Sequence, residues 1–223
     1  MKISIFFICL SIIILGETMI EFKEIIEKLY DVSDKSWGIY AFRKEIIKNK
    51  ISIDEVDILV NKAIVCGSDI ALKMHKNNIY SINQIIKEFK LNLLYKDEYK
   101  DATDRLILAL YNNPKKIVIL KDPINRLVVN LNENKIYSLN YQLIENILIA
   151  HEIFHYYENK NKKIFTKTSL KYNKNILSEI AASSFTKEFL KLEFNPLMLD
   201  ILFYYSYNKN TALSLYLDVI KIC

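Results

Sequence analysis

Residues 147–158 read ILIAHEIFHYYE, and no glycine or proline interrupts them. Apolar residues recur every three or four positions, at Ile147, Ala150 and Phe154, which is the spacing of a helix that buries one face. The spacing predicts a helix over residues 138–157, with its apolar face directed towards the core.

Two histidines and a glutamate lie on this predicted helix. His151 and His155 are four residues apart, so their imidazoles lie on one face and can bind a single metal ion. Glu152 is rotated by about 100° from His151, which places its carboxylate beside the metal without making it a ligand. This arrangement is typical of zinc peptidases, in which the carboxylate is the general base for an attacking water molecule. We therefore predict Zn²⁺ as the cofactor and Glu152 as the catalytic residue.

The competing interpretation is a helix with two surface histidines and no metal. The apolar stripe argues against it, because Ile147 lies one turn before His151 and directs that face inward. Two unpaired imidazoles in the interior would be costly. The metal site is therefore the favoured interpretation.

A catalytic zinc usually takes three protein ligands, so a third is expected downstream. Glu179 is the first acidic residue after Glu158, and it lies in a predicted helix over 177–192 that is rich in alanine and serine around it. Small side chains let two helices approach closely enough to share a metal. The alternative is a surface glutamate near a helix start, where the helix dipole stabilises a carboxylate.

The composition sets the class of protein. The chain has 223 residues, 51% of them hydrophobic, which suits one domain with a sizeable core. With only 3 glycines and 3 prolines, long uninterrupted helices are expected. The net charge of +5 comes almost entirely from lysine, and the scarcity of arginine argues against direct nucleic-acid binding. The 3 cysteines show no spacing typical of a disulfide framework or a thiolate metal site.

A change of pattern after residue 90 predicts a small sheet. Residues 106–111 and 116–120 are strand-like, and the turn at 112–114 should pair them antiparallel. The predicted fold class is therefore α+β, mostly helical, with a small antiparallel β-sheet packed against the HExxH helix. A helical segment is predicted over 20–50, with interruptions near Ser33 and Gly38. Two further helices are predicted before the sheet, from a cap at Ser52 to Asn77 and from Ser81 to Phe89. After the sheet, helices are predicted from a cap at Asp122 to about residue 132, from Pro196, and over 211–222.

No linker divides the chain, so its segments are treated as parts of one domain. They are an apolar N-terminal segment (1–18), an N-terminal helical segment (19–51), a metallopeptidase domain (52–192) and a C-terminal helical extension of that domain (193–223). The first segment allows three interpretations: a signal peptide, an uncleaved anchor, or an untranslated stretch upstream of a start at Met19. We expect a cytoplasmic protein, and a membrane-anchored or exported one if residues 1–18 are a real signal or anchor.

A zinc peptidase also needs a hydrogen-bond donor for the oxyanion of the tetrahedral intermediate. The candidates in this chain are His75, Tyr156, Tyr157 and Tyr172. Nothing in the sequence ranks them.

Residues 148–158 resemble the active-site helix of ImmA/IrrE-type metallopeptidases. In chain order, the pattern of that helix is Ala, His, Glu, an apolar residue, an aromatic residue or glycine, and a second His. Glu179, followed by Ala182 and Phe185, is similar to the second motif of that family. The chain departs from the family at Ser183, where Asp or Asn is usual, and at Thr186, where Ala is usual. The resemblance covers residues 52–192.

This resemblance implies a regulatory peptidase, often encoded on bacterial mobile elements, that cleaves a DNA-bound transcriptional repressor. By the same resemblance, His151, His155 and Glu179 hold zinc and Glu152 is the general base. The departures leave a second hypothesis open, a metal-stabilised binding module that sequesters a regulatory partner without cleaving it. A third is an exported peptidase, if residues 1–18 are a signal.

Overall fold

The computed structural model describes residues 20–45, 52–97, 107–112, 114–161 and 174–223. Within these ranges the chain forms nine helices and one small sheet, which confirms the mostly helical α+β prediction. The helices are α1 (Phe22–Tyr30), α2 (Asp34–Glu45), α3 (Ile53–Lys76), α4 (Ile82–Phe89), α5 (Lys121–Glu133), α6 (Tyr141–Lys160), α7 (Lys174–Leu190), α8 (Met198–Tyr207) and α9 (Lys209–Ile220). The strands are β1 (Asn92–Lys96), β2 (Ala109–Asn112) and β3 (Lys116–Leu120).

The sheet has the strand order β1-β3-β2. The predicted antiparallel pair is confirmed as β2 and β3, with Leu110 opposite Val118. The prediction of a purely antiparallel sheet is wrong, because β1 pairs with β3 in parallel, with Leu93 opposite Ile117. The chain places β2 on the far side of β3, so the central strand has one parallel and one antiparallel neighbour.

Local capping explains several helix boundaries. The Ser52 hydroxyl accepts a hydrogen bond from the Glu55 N–H (3.2 Å) at the start of α3. Ser81 and Gln84 form a complete capping box on α4. Asn140 accepts from the Leu143 N–H (3.0 Å) and caps α6, which begins at Tyr141, three residues after the predicted start at Ser138.

Two predicted boundaries are wrong. Asp122 does not cap α5, because β3 continues directly into the helix through Leu120 and Asp122 lies in the first turn, paired with Arg126. The predicted interruption near Ser33 is confirmed between α1 and α2, whereas the one predicted near Gly38 is wrong, because Gly38 lies within α2. A Cβ at Gly38 would lie 2.3 Å from the Val60 side chain, so this glycine permits the close approach of α2 and α3.

The buried core joins all parts of the described chain. The predicted inward stripe of α6 is confirmed, since Ile147 is 2% exposed and Ala150 and Phe154 are fully buried. Phe22 of α1 stacks on Tyr205 of α8 with ring centres 4.1 Å apart. Helix α1 therefore packs against α8.

Among the described residues, no helix has the length and apolar character needed to cross a membrane. The alternatives for residues 1–18 fall outside the described residues.

Candidate metal centre

Helices α6 and α7 bring three predicted ligands together. His151 and His155 project from α6, and Glu179 projects from α7 across from them. The Nε2 atoms of the two histidines lie 3.0 Å apart. Glu179 places Oε2 2.9 Å from Nε2 of His151 and Oε1 3.4 Å from Nε2 of His155.

These separations fit a zinc ion. Zinc binds imidazole nitrogen and carboxylate oxygen at about 2.0–2.2 Å in tetrahedral geometry, so two of its ligand atoms lie about 3.3–3.5 Å apart. The donor atoms of His151, His155 and Glu179 all lie within 4.8 Å of one another, and the closest approaches are 2.9 to 3.4 Å. Two nitrogens and one carboxylate are the donor set of a catalytic zinc site with an open position.

The packing of α7 explains how Glu179 reaches the histidines. Ala181 and Ala182, which follow Glu179, are fully buried. A Cβ on Gly67 of α3 would lie 2.1 Å from the carbonyl oxygen of Ala181, so no side chain fits between α3 and α7 there. The small residues were expected to let α7 approach the helix of His151 and His155; the close approach at Ala181 is instead with α3.

The ligands perturb each other's protonation. Burial lowers the pKa of His155, but the nearby carboxylates of Glu158 and Glu179 and the negative charge of Glu152 outweigh burial and raise the pKa to about 10. Burial also raises the pKa of Glu179, yet hydrogen bonds and charge from the two histidines hold it well below its usual range. Without a metal, His155 and Glu179 therefore form an ion pair at neutral pH.

The predicted general base borders the same cleft. Glu152 is 9% exposed and lines a cleft of about 780 Å³ together with the three ligands. The remaining walls come from β2, the C-terminal end of α6 and the start of α7, namely Ala109, Leu110, Tyr111, Glu158, Asn159, Asn175 and Ser178. The cleft is thus open beside the three candidate ligands.

Strand β2 forms one wall of this cleft and lies at the edge of the described sheet. The Leu120 N–H donates to the Leu108 carbonyl (3.0 Å), so these two residues form a hydrogen-bonded pair. Because such pairs alternate along antiparallel strands, the backbone N–H and C=O of Ala109 point away from β3. Ala109 therefore presents backbone groups along the outer side of the sheet, and it lines the cleft.

A second layer of polar groups surrounds His155. Its Nδ1 atom lies 3.2 Å from the Ser178 hydroxyl and 3.8 Å from a carboxylate oxygen of Glu158. The Ser178 hydroxyl donates to that same oxygen of Glu158 at 2.5 Å. Neither residue was predicted from the sequence to belong to the site. A signal was present for Glu158, which lies three residues after His155 on the same helix face.

Comparisons with protein-family models, curated proteins and solved structures find no match for this chain. The ImmA/IrrE resemblance therefore stays a prediction, and the site geometry carries the functional argument.

The two positions that depart from the ImmA/IrrE pattern lie away from the metal ligands. Ser183 is buried and donates to Oδ1 of Asn195 (2.8 Å). Asn195 in turn donates to Asp34 (2.9 Å), so Ser183 connects α7 to α2. Thr186 is fully buried, and its hydroxyl has no hydrogen-bond partner among the described atoms. Polar support for the metal ligands comes from Ser178 and Glu158 instead.

None of the described candidates for oxyanion stabilisation lines the cleft. His75 stacks on Phe189 and Tyr80, with ring centres 5.2 Å and 5.5 Å away. Tyr156 is 6% exposed and packs against Phe89 and Tyr111. Tyr157 is half-buried outside the cleft lining, and Tyr172 lies outside the described residues.

Proposed function

We propose that this protein is a zinc-dependent metalloendopeptidase. The observation that carries the proposal is the convergence of His151, His155 and Glu179 beside the buried carboxylate of Glu152. Two imidazoles, one carboxylate ligand and a separate base form the minimal set for metal-assisted hydrolysis. A purely structural zinc site has a fourth protein ligand that closes it, whereas the site formed by these three residues faces a cleft.

The residues divide the chemistry of peptide hydrolysis among themselves. Zinc, when held by the three ligands, supplies Lewis-acid activation of water and of the peptide carbonyl. Glu152 accepts a proton from the attacking water as its oxygen bonds to the carbonyl carbon. When the carbon–nitrogen bond breaks, Glu152 delivers that proton to the leaving amine. Strand β2 and helix α7 form two walls of the cleft. These walls orient the substrate so that it passes over the three metal ligands.

The shape of the cleft favours a peptide as substrate. The outer side of β2 carries the backbone groups of Ala109, and an extended chain can add to such an edge by main-chain hydrogen bonds. This mode of binding selects an unfolded or loop segment of a protein, because a folded strand has its backbone groups already paired. A regulatory protein with an exposed linker, such as a transcriptional repressor in the cytoplasm, fits this requirement and the family resemblance.

The proposal is tested with a host extract incubated with zinc-loaded protein, followed by sequencing of all new protein N-termini. Wild type should generate a small set of new termini, and Glu152→Gln with the same zinc content should generate none. Identical termini from both proteins would contradict the proposal. A partner that co-purifies intact after prolonged incubation with zinc-loaded wild type would instead support the binding-module alternative.

A further inference from the structure

We infer that Ser178 and Glu158 are positioning residues that fix His155 in the tautomer required for zinc binding. This inference rests on the proposed zinc site, which it deepens. The Ser178 hydroxyl lies between the two other groups, 3.2 Å from Nδ1 of His155 and 2.5 Å from Oε2 of Glu158.

The direction of these hydrogen bonds follows from the number of protons available. A serine hydroxyl has one proton, and it is donated to the carboxylate of Glu158. The hydroxyl oxygen is left to accept, and its remaining neighbour is Nδ1 of His155. His155 must therefore keep its proton on Nδ1, which makes Nε2, the nitrogen that faces Glu179 and His151, the one that gives up its proton and binds zinc.

The carboxylate does not reach the imidazole by itself. Oε2 of Glu158 lies 3.8 Å from Nδ1, which is beyond the length of a hydrogen bond. Ser178 bridges this gap, and it is 7% exposed, so water is largely kept from replacing it. The partner of the zinc ligand is thus a serine polarised by a glutamate, in place of a carboxylate in direct contact.

The two positioning residues come from different helices. Glu158 lies on α6 with His155, whereas Ser178 lies on α7 directly before Glu179. The same hydrogen-bond chain therefore holds an imidazole from one helix in register with the carboxylate from the other. Loss of either group should weaken zinc binding, because groups behind metal ligands typically contribute 10- to 100-fold to affinity.

The test measures zinc affinity by competition with a chromophoric chelator, with no substrate present. Ser178→Ala and Glu158→Gln should each weaken zinc binding about 10- to 100-fold. Ser178→Thr keeps the hydroxyl and should restore most of the loss. The double variant should bind zinc no more weakly than the worse single variant, since both changes break one hydrogen-bond chain.

A matched control and a spectroscopic signature separate positioning from structural support. Ser184→Ala removes a hydroxyl on the same helix that donates to the Ile64 carbonyl (2.7 Å), and it should leave zinc affinity unchanged. In the zinc-bound protein, the ¹⁵N shift of Nδ1 and the rate of solvent exchange of its proton should report a hydrogen bond from His155 to Ser178 in wild type, and Ser178→Ala should shift the resonance and speed the exchange.

Two outcomes overturn the inference, and they are distinguishable. If wild type binds zinc and Ser178→Ala and Glu158→Gln bind it equally tightly, the positioning role is wrong while the metal site stands. If wild type itself binds no zinc, the proposed function fails and this inference fails with it.

Discussion

Gly67 of α3 lies directly against Ala181 of α7, so that a Cβ on Gly67 would come within 2.1 Å of the Ala181 carbonyl oxygen. It would also lie 2.8 Å from the backbone nitrogen of Phe185. Backbone atoms cannot move aside as a flexible side chain can, so this contact fixes the distance between the two helices. Glu179 is two residues from Ala181, and the contact therefore helps to place the carboxylate that we propose as the third metal ligand.

Gly67→Ala should push α7 away from α3 and weaken the zinc site. Overpacking typically costs about 1–3 kcal/mol, which exceeds the gain of about 1 kcal/mol from replacing a helical glycine by alanine. We expect the free energy of unfolding of the metal-free protein to fall by about 1–2 kcal/mol in urea denaturation, together with weaker zinc binding. Asn61→Ala, on an exposed face of α3, is the control and should change neither quantity. If Gly67→Ala is less stable than wild type but binds zinc equally tightly, the contact does not position Glu179.

Glu152→Gln should abolish cleavage without removing zinc. A general base contributes about 10²- to 10⁴-fold to the rate, and glutamine cannot accept the proton. Cleavage of a fluorescence-quenched peptide pool and zinc content measure the two effects. Glu145→Gln is a matched control, because Glu145 lies on the same helix and both glutamates are 9% exposed. A comparable loss of rate in both variants would argue against a specific role for Glu152.

The ion pair of His155 and Glu179 should make the stability of the metal-free protein depend on pH. The pKa of His155 rises from 6.5 to about 10, so its contribution is complete below pH 6.5 and is lost as the pH rises towards 10. The pKa of Glu179 is lowered from 4.5, so its contribution is present above pH 4.5 and is lost as the pH falls. Urea denaturation with a chelator present should show decreasing stability from pH 7 to pH 10, and Glu179→Gln should flatten that slope.

Zinc binding should have the opposite dependence on pH. His155 must lose the proton on Nε2 before this nitrogen can bind zinc, so binding releases about one proton per ion below pH 10. The apparent dissociation constant should fall about tenfold per pH unit between pH 7 and 9. A pH-independent constant over that range would mean that His155 is already neutral or is not a ligand.

Zinc should stabilise the folded protein, because the complete ligand set exists only when α6 and α7 are packed together. At 100 times the dissociation constant, binding contributes about 2.7 kcal/mol, which corresponds to a rise in Tm of roughly 5–10 °C for a chain of this size. Thermal unfolding with and without a chelator measures the difference. His155→Gln should remove the zinc-dependent shift, whereas His75→Gln should retain it, since His75 packs between Tyr80 and Phe189.

The sequence was sufficient for the parts of the site that depend on local periodicity. The spacing of His151 and His155 and the apolar stripe of α6 follow from the helical repeat, and the structure has both. The small residues after Glu179 were expected to bring α7 close to α6, and the contact at Gly67 shows that they also face α3.

Other features depend on how distant segments meet, and the sequence could not supply them. Ser178 reaches Glu158 only because α7 crosses α6 at a particular height, and no local pattern encodes that crossing. The parallel pairing of β1 with β3 likewise depends on where the chain returns after residue 97. The start of α5 was wrong because Asp122-Pro123 has the composition of a helix cap, although β3 enters the helix without a break.

X-ray absorption at the zinc edge tests the central claim most directly. Purified wild-type protein should contain one zinc per chain, with two imidazole nitrogens and carboxylate oxygen at about 2.0–2.2 Å. Glu179→Gln should lose zinc or an oxygen ligand from this shell. A zinc-free wild type, or a sulfur ligand at about 2.3 Å, would contradict a centre formed by His151, His155 and Glu179.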